Sequence, residues 1–212
     1  GPTMQCLCFF WLTVAAWAAL LVATYVTGSL AIAAADALAG AVLGAFGHNW
    51  VHQPRYKERG WALLSLDTLG FASETWYREH NMQHHMYTNT PWDNHFTGTE
   101  PFLMSNPTRP RSRLQQIIPY INPIILVFGT YGNWFANLTD VLKGNETLSV
   151  GELFLPLHLA LMISRWGLWG VPLCFTFHGT IGLYYLTLAL MNHNAENCVK
   201  VETRNASRDW GE

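Results

Sequence analysis

The sequence predicts an all-α integral membrane protein: about four transmembrane helices in two hairpins, in-plane interfacial helices, and a cytosolic histidine-box region. Three observations carry this prediction. Half of the 212 residues are apolar and only 12% are charged, about half the charged share of an average soluble domain. The charges are unevenly spread, since Asp36 is the only one in residues 1–54. Two apolar runs of spanning length open the chain. The near balance of 12 basic and 14 acidic residues offers a polyanion no attraction, so no nucleic-acid partner is expected.

A crossing of the hydrocarbon core needs about 20 mostly apolar residues. Residues 6–26 supply one. Residues 29–46 supply a second, rich in Ala and Gly as close helix packing in lipid prefers. Only Thr27 and Gly28 separate them, so a tight transmembrane hairpin is predicted over 6–47. The first run is too long for a signal-peptide core and has no basic segment before it. Residues 48–113 are polar and are predicted to form a cytosolic or interfacial segment, interrupted by an amphipathic run over 61–72 that suits a helix lying in the interface.

The membrane segments over 114–190 comprise three apolar stretches: 117–138, 153–174 and 175–190. The first is broken by Pro119, Asn122, Pro123, Asn133 and Asn137 and is predicted to be in-plane or re-entrant, leaving the other two to cross. A true span at 117–138 followed by one long kinked helix over 153–190 gives the same parity. Ten of the twelve Lys and Arg residues fall in 55–113 or in the tail 191–212. Both regions therefore belong on the cytosolic side, an even number of crossings apart. The chain reads as a single domain over 1–212. Cys6, Cys8, Cys174 and Cys198 show no paired spacing, which argues against a disulfide framework or a zinc ribbon.

Five of the nine histidines stand in two short clusters on the polar segment: G-H-N-W-V-H-Q, with His48 and His52, and R-E-H-N-M-Q-H-H, with His80, His84 and His85. On an α-helix, residues four apart share a face, so each pair can reach one metal or two neighbouring ones. His85, about 100° around an α-helix from His84, suits a second metal. Ionisable groups beside a bilayer are costly and usually functional. The chain has no H-E-x-x-H, which disfavours a zinc protease. Five imidazoles exceed one tetrahedral zinc shell, whereas an all-nitrogen site large enough for two metals fits iron, which can activate dioxygen.

H-x-x-x-H followed about 30 residues later by H-x-x-x-H-H, behind a two-span hairpin, resembles the membrane fatty acid desaturase superfamily. The continuation R-E-H-N-M-Q-H-H-M-Y-T-N-T-P-W-D-N-H is similar to the second box and following loop of the cytochrome b5-linked branch, in particular its cytochrome b5-related desaturase-like members. N-H-N-A-E and R-D-W-G-E resemble the segment before the last box. The resemblance covers about residues 5–212. It implies metal ligation by His48, His52, His80, His84 and His85, with His193 matching an additional ligand position. It further implies two irons, O2 as co-substrate, cytochrome b5 as electron donor, a lipid acyl substrate, and residence in the endoplasmic reticulum membrane with the boxes facing the cytosol. The family also carries a third box, (H/Q)-x-x-H-H, which does not occur here, so the domain is expected to be incomplete at its C-terminus.

Around these ligands, Asn49, Glu79, Asn89, Asp93 and Asp209 are candidates to hold the ring N–H groups, and Asn194 to contribute through water; each is equally readable as a solvated loop residue. Trp76 and Tyr77 flank the second box and are candidates to line an acyl channel, or to join an interfacial belt. His95 reads as a loop histidine. His158 and His178, in apolar stretches without a partner motif, read as packing histidines. The function implied by the resemblance is desaturation of a fatty acyl chain. A hydroxylase of the same superfamily and a catalytically incomplete membrane protein are the alternatives.

Overall fold

The structure is a computed structural model that describes residues 2–53, 59–88, 90, 92–93 and 112–193, with the backbone alone at 59 and over 189–193. Regular structure among the described residues is entirely helical. Helix α1 (Met4–Thr27) starts where the Thr3 hydroxyl accepts the Cys6 N–H. It stops at Gly28, whose φ of 63° is the left-handed conformation that glycine adopts at little cost. Ser29 then caps α2 (Leu30–Val51). The second helix thus extends five residues past the expected end at Phe46, and His48 lies in its last turn rather than beyond it.

After α2 the chain doubles back. Helix α3 (Arg59–Leu66) and a 3-10 turn (Asp67–Leu69) run antiparallel along α2. Trp61 meets Trp50 at a ring separation of 5.0 Å, Leu66 lies against Gly47, and Leu69 against Gly44 and Gly40. A Cβ at Gly47 would stand 2.6 Å from Leu66 Cγ, so the absence of side chains at these positions is what admits the returning segment. The amphipathic run expected in the interface plane is instead packed lengthwise on α2, with Ala62, Leu66, Leu69 and Phe71 buried.

Helix α4 (Ser73–Trp76) continues without a break through a π-helical stretch (Tyr77–His84) into α5 (His85–Tyr87). Asp67 secures its start, since its carboxylate accepts the Ser73 N–H at 2.7 Å and the Ser73 hydroxyl at 3.2 Å. Next come α6 (Arg113–Val127) and α7 (Gly129–Leu142). They meet at Phe128, which packs on Phe175, while Thr130 donates to the carbonyl of His178. Beyond α7 the chain returns to the second histidine box, where Glu146 pairs with Arg78.

Helices α8 (Val150–Trp166) and α9 (Gly170–His193) form an antiparallel hairpin. The reversal falls at Gly167 (φ 58°), and His158 meets both Cys174 and His178 across it. Helix α9 runs parallel to α2 in a constant register. Trp166 Nε1 donates to the carbonyl of Tyr25 and Trp169 Nε1 to that of Gly28, each pair 141 residues apart. Gly40 meets Ile181 and Gly44 meets Tyr185 at the same offset. The two hairpin turns therefore sit together at one end, and the histidine boxes occupy the other.

Among the described residues, three helical stretches are long and apolar enough to cross a membrane: Met4–Thr27, Leu30–Val51, and Val150–Leu188, the last folded at Gly167. Their outward faces carry Leu12, Val22, Val26, Leu157 and Leu161 exposed, as a lipid-facing surface requires. Phe10, Phe46, Leu69, Phe177 and Ile181 close the interior.

Candidate metal centre

The first box comes from the end of α2. His48 and His52, one turn apart, bring their Nε2 atoms to 3.4 Å. The second box comes from the π-helical stretch, which carries hydrogen bonds to the fifth residue back, as in the bond from His85 N–H to the carbonyl of His80. This differs from the α-helical spacing expected from sequence. The wider turn sets both His84 and His85 against His80. The His80 and His84 rings stack at 5.4 Å, and His85 Nε2 lies 3.2 Å from His80 Nε2. π-helical hydrogen bonding within α-helices recurs at functional sites.

Packing of the two elements joins the boxes. His48 Nε2 lies 2.8 Å from His80 Nε2, and the His52 and His85 rings are 4.7 Å apart. Two groups of three donors, each within 4.8 Å of one another, share His80: His48, His52 and His80, and His80, His84 and His85. Metal–imidazole bonds of about 2.0–2.1 Å place neighbouring ligand nitrogens about 2.9 to 3.4 Å apart, close to the observed 2.8, 3.2 and 3.4 Å. The donor set is all imidazole nitrogen, and His80 and His84 are buried.

Other contacts hold the rings. Both oxygens of buried Asp93 face His84 Nδ1, at 2.9 and 3.0 Å. A carboxylate on Nδ1 fixes the tautomer, so a metal would meet Nε2. Trp76 stacks on His80 at 5.3 Å and also touches Phe71 and Tyr185. Asn81, which sequence reasoning did not single out, donates from Nδ2 to the carbonyl of Val51 at 2.7 Å and so ties the second box to the end of the first. Its position between His80 and His84 was the only available signal.

Burial, then the neighbouring His85, holds the His52 pKa below the ordinary imidazole value; burial, then His84, does the same for His85. Both effects keep the rings neutral, as ligation requires. Glu79 is half-buried, and its pKa is raised first by that burial and then by Asp140, with Arg78 opposing; it bonds to no box histidine. Asn49 is exposed, and Tyr77 lies on the surface. Helix α9 ends at His193, of which the structure describes the backbone alone. Asn89, His95, Asn194 and Asp209 lie outside the described residues. No family model, curated protein or solved structure matches the chain.

Proposed function

We propose that the chain belongs to an iron- and O2-dependent fatty acyl desaturase of the membrane, with cytochrome b5 as electron donor. The observation that carries this reading is the convergence of five box histidines from two separate elements, with His80 common to two ligand groups, at one end of an apolar helical bundle. The likeness of the second box and its following loop to the cytochrome b5-linked desaturases supports the same reading.

His48, His52, His80, His84 and His85 would together hold the iron, with His193 an additional ligand. Bound iron supplies the one-electron and dioxygen chemistry that side chains cannot perform on an unactivated methylene. This chain's own residues do the rest. Asp93 orients His84 through Nδ1, Asn81 holds the two boxes in register, and Trp76 walls the His80 ring against the core. Trp76 and Tyr77, which flank the second box, would line the approach of the acyl chain.

Two hairpins with both turns at one end support four crossings, with 117–138 re-entrant through the bend at Phe128. The basic residues support placing the boxes in the cytosol, and the resemblance supports the endoplasmic reticulum membrane. The test is product analysis after reconstitution with a fatty acyl substrate, cytochrome b5, its reductase and O2. Loss of two hydrogens from the acyl chain is the expected result. Gain of one oxygen would reassign the site to a hydroxylase, and an unchanged substrate would contradict both.

A further inference from the structure

Outside the boxes, a second cluster of ligand-bearing side chains sits deep in the bundle. His158 on α8 and Cys174 and His178 on α9 present ligand atoms within 4.8 Å of one another. His158 Nδ1 is 3.2 Å from His178 Nε2 and 4.0 Å from Cys174 Sγ. Bonds of about 2.0–2.1 Å to nitrogen and 2.3 Å to sulfur from one ion give separations of about 3.5 Å between such donors. All three side chains are buried, at 4%, 3% and 0% exposure. Phe154, Phe177 and Tyr131 wall the cluster, and α7 braces it: Thr130 and Tyr131 donate to the carbonyls of His178 and Cys174. The partnered nitrogen of each ring faces inward, while His158 Nε2 and His178 Nδ1 have no partner.

We propose that His158, Cys174 and His178 form a second metal site, separate from the histidine boxes, that takes Cu(I). The donor set of two imidazoles and one thiol suits copper or zinc and not the hard cations. Charge separates the two. A thiolate with Cu(I) is neutral overall, whereas a thiolate with Zn(II) or Fe(II) leaves one positive charge, costly at this depth in an apolar bundle. Zinc would also want a fourth ligand, and this group holds no carboxylate. Loading breaks the Cys174 S–H bond and forms an S–Cu bond. The proton leaves to solvent and no electron is transferred, so copper must arrive already reduced.

The test uses the full chain carrying Cys6→Ser, Cys8→Ser and Cys198→Ser, so that Cys174 is its sole thiol. Cu(I) is titrated without oxygen against a chromogenic Cu(I) chelator, and X-ray absorption is recorded at one equivalent. One copper with one sulfur and two nitrogen neighbours is expected. Cys174→Ser should weaken retention on the order of 100-fold or more, while His48→Ala with His84→Ala leaves the sulfur-bound copper in place. A copper with nitrogen neighbours only, read in the parent protein and so independent of any variant's folding, overturns the proposal. Undiminished retention in Cys174→Ser also overturns it.

Discussion

His84 and Asp93 form a buried pair in which both carboxylate oxygens lie within 3.0 Å of Nδ1. The pair orients the His84 ring and fixes its tautomer. Asp93→Asn keeps the shape but removes the charge and half of the accepting capacity. Metal affinity is expected to fall about 10- to 100-fold, read by competition with a chelator of known affinity. Unchanged affinity would mean that the pair only fastens the 92–93 segment.

The pH dependence follows from His52 and His85, whose pKa values lie below the ordinary 6.5 through burial first and neighbouring imidazoles second. A lowered folded value means that the unfolded state binds more protons between the two values. Their contribution to stability is therefore complete above about 6.5 and is lost as pH falls through the lowered values. Metal retention should follow the same direction, because protons compete for the ligand nitrogens. Retention that rises on acidification from pH 6.5 would be incompatible with these rings as ligands.

Gly47 tests the groove that admits α3. A Cβ there stands 2.6 Å from Leu66 Cγ and 2.7 Å from Ser65 Oγ. Gly47→Leu is expected to destabilise by about 1–3 kcal/mol or more through overpacking. Gly60, with nothing within 4 Å of an added Cβ, is the control. Gly60→Ala should be neutral or stabilising by about 0.5–1 kcal/mol. Thermal unfolding in detergent reads both.

How much of this was legible from sequence differs by feature. The apolar runs gave the first hairpin, because a 20-residue apolar run has few fates beside a bilayer. Box spacing singled out the five histidines. The return of α3 was hidden, since Gly40, Gly44 and Gly47 acquire meaning only once Leu66 and Leu69 lie against them. So was the π-helical turn, which depends on how 77–84 packs against α2. Asp93 was one polar loop residue among several. His158 and His178 read as packing histidines because their approach depends on the Gly167 reversal, and no motif spans it.

Asp67 secures the start of the helix that carries the second box, through the Ser73 N–H and hydroxyl. Asp67→Ala leaves that buried N–H without an acceptor and should cost about 1–3 kcal/mol. It should also lower metal content. Asp67→Asn retains an accepting oxygen and should lose less of both. Equal losses would place the effect in the charge rather than in the hydrogen bonds. Unfolding and metal content measured on the same samples decide between the two.

His80 belongs to both groups of ligand nitrogens, which makes metal counting on its variants the most direct test. With iron supplied without oxygen, wild-type protein is expected to hold two irons with nitrogen neighbours. His52→Ala and His80→Ala should each lower the iron content, His80→Ala the more, because its ring stands between the two groups. If His80→Ala keeps the wild-type iron content, the boxes do not share a centre, and the account built on their convergence is wrong.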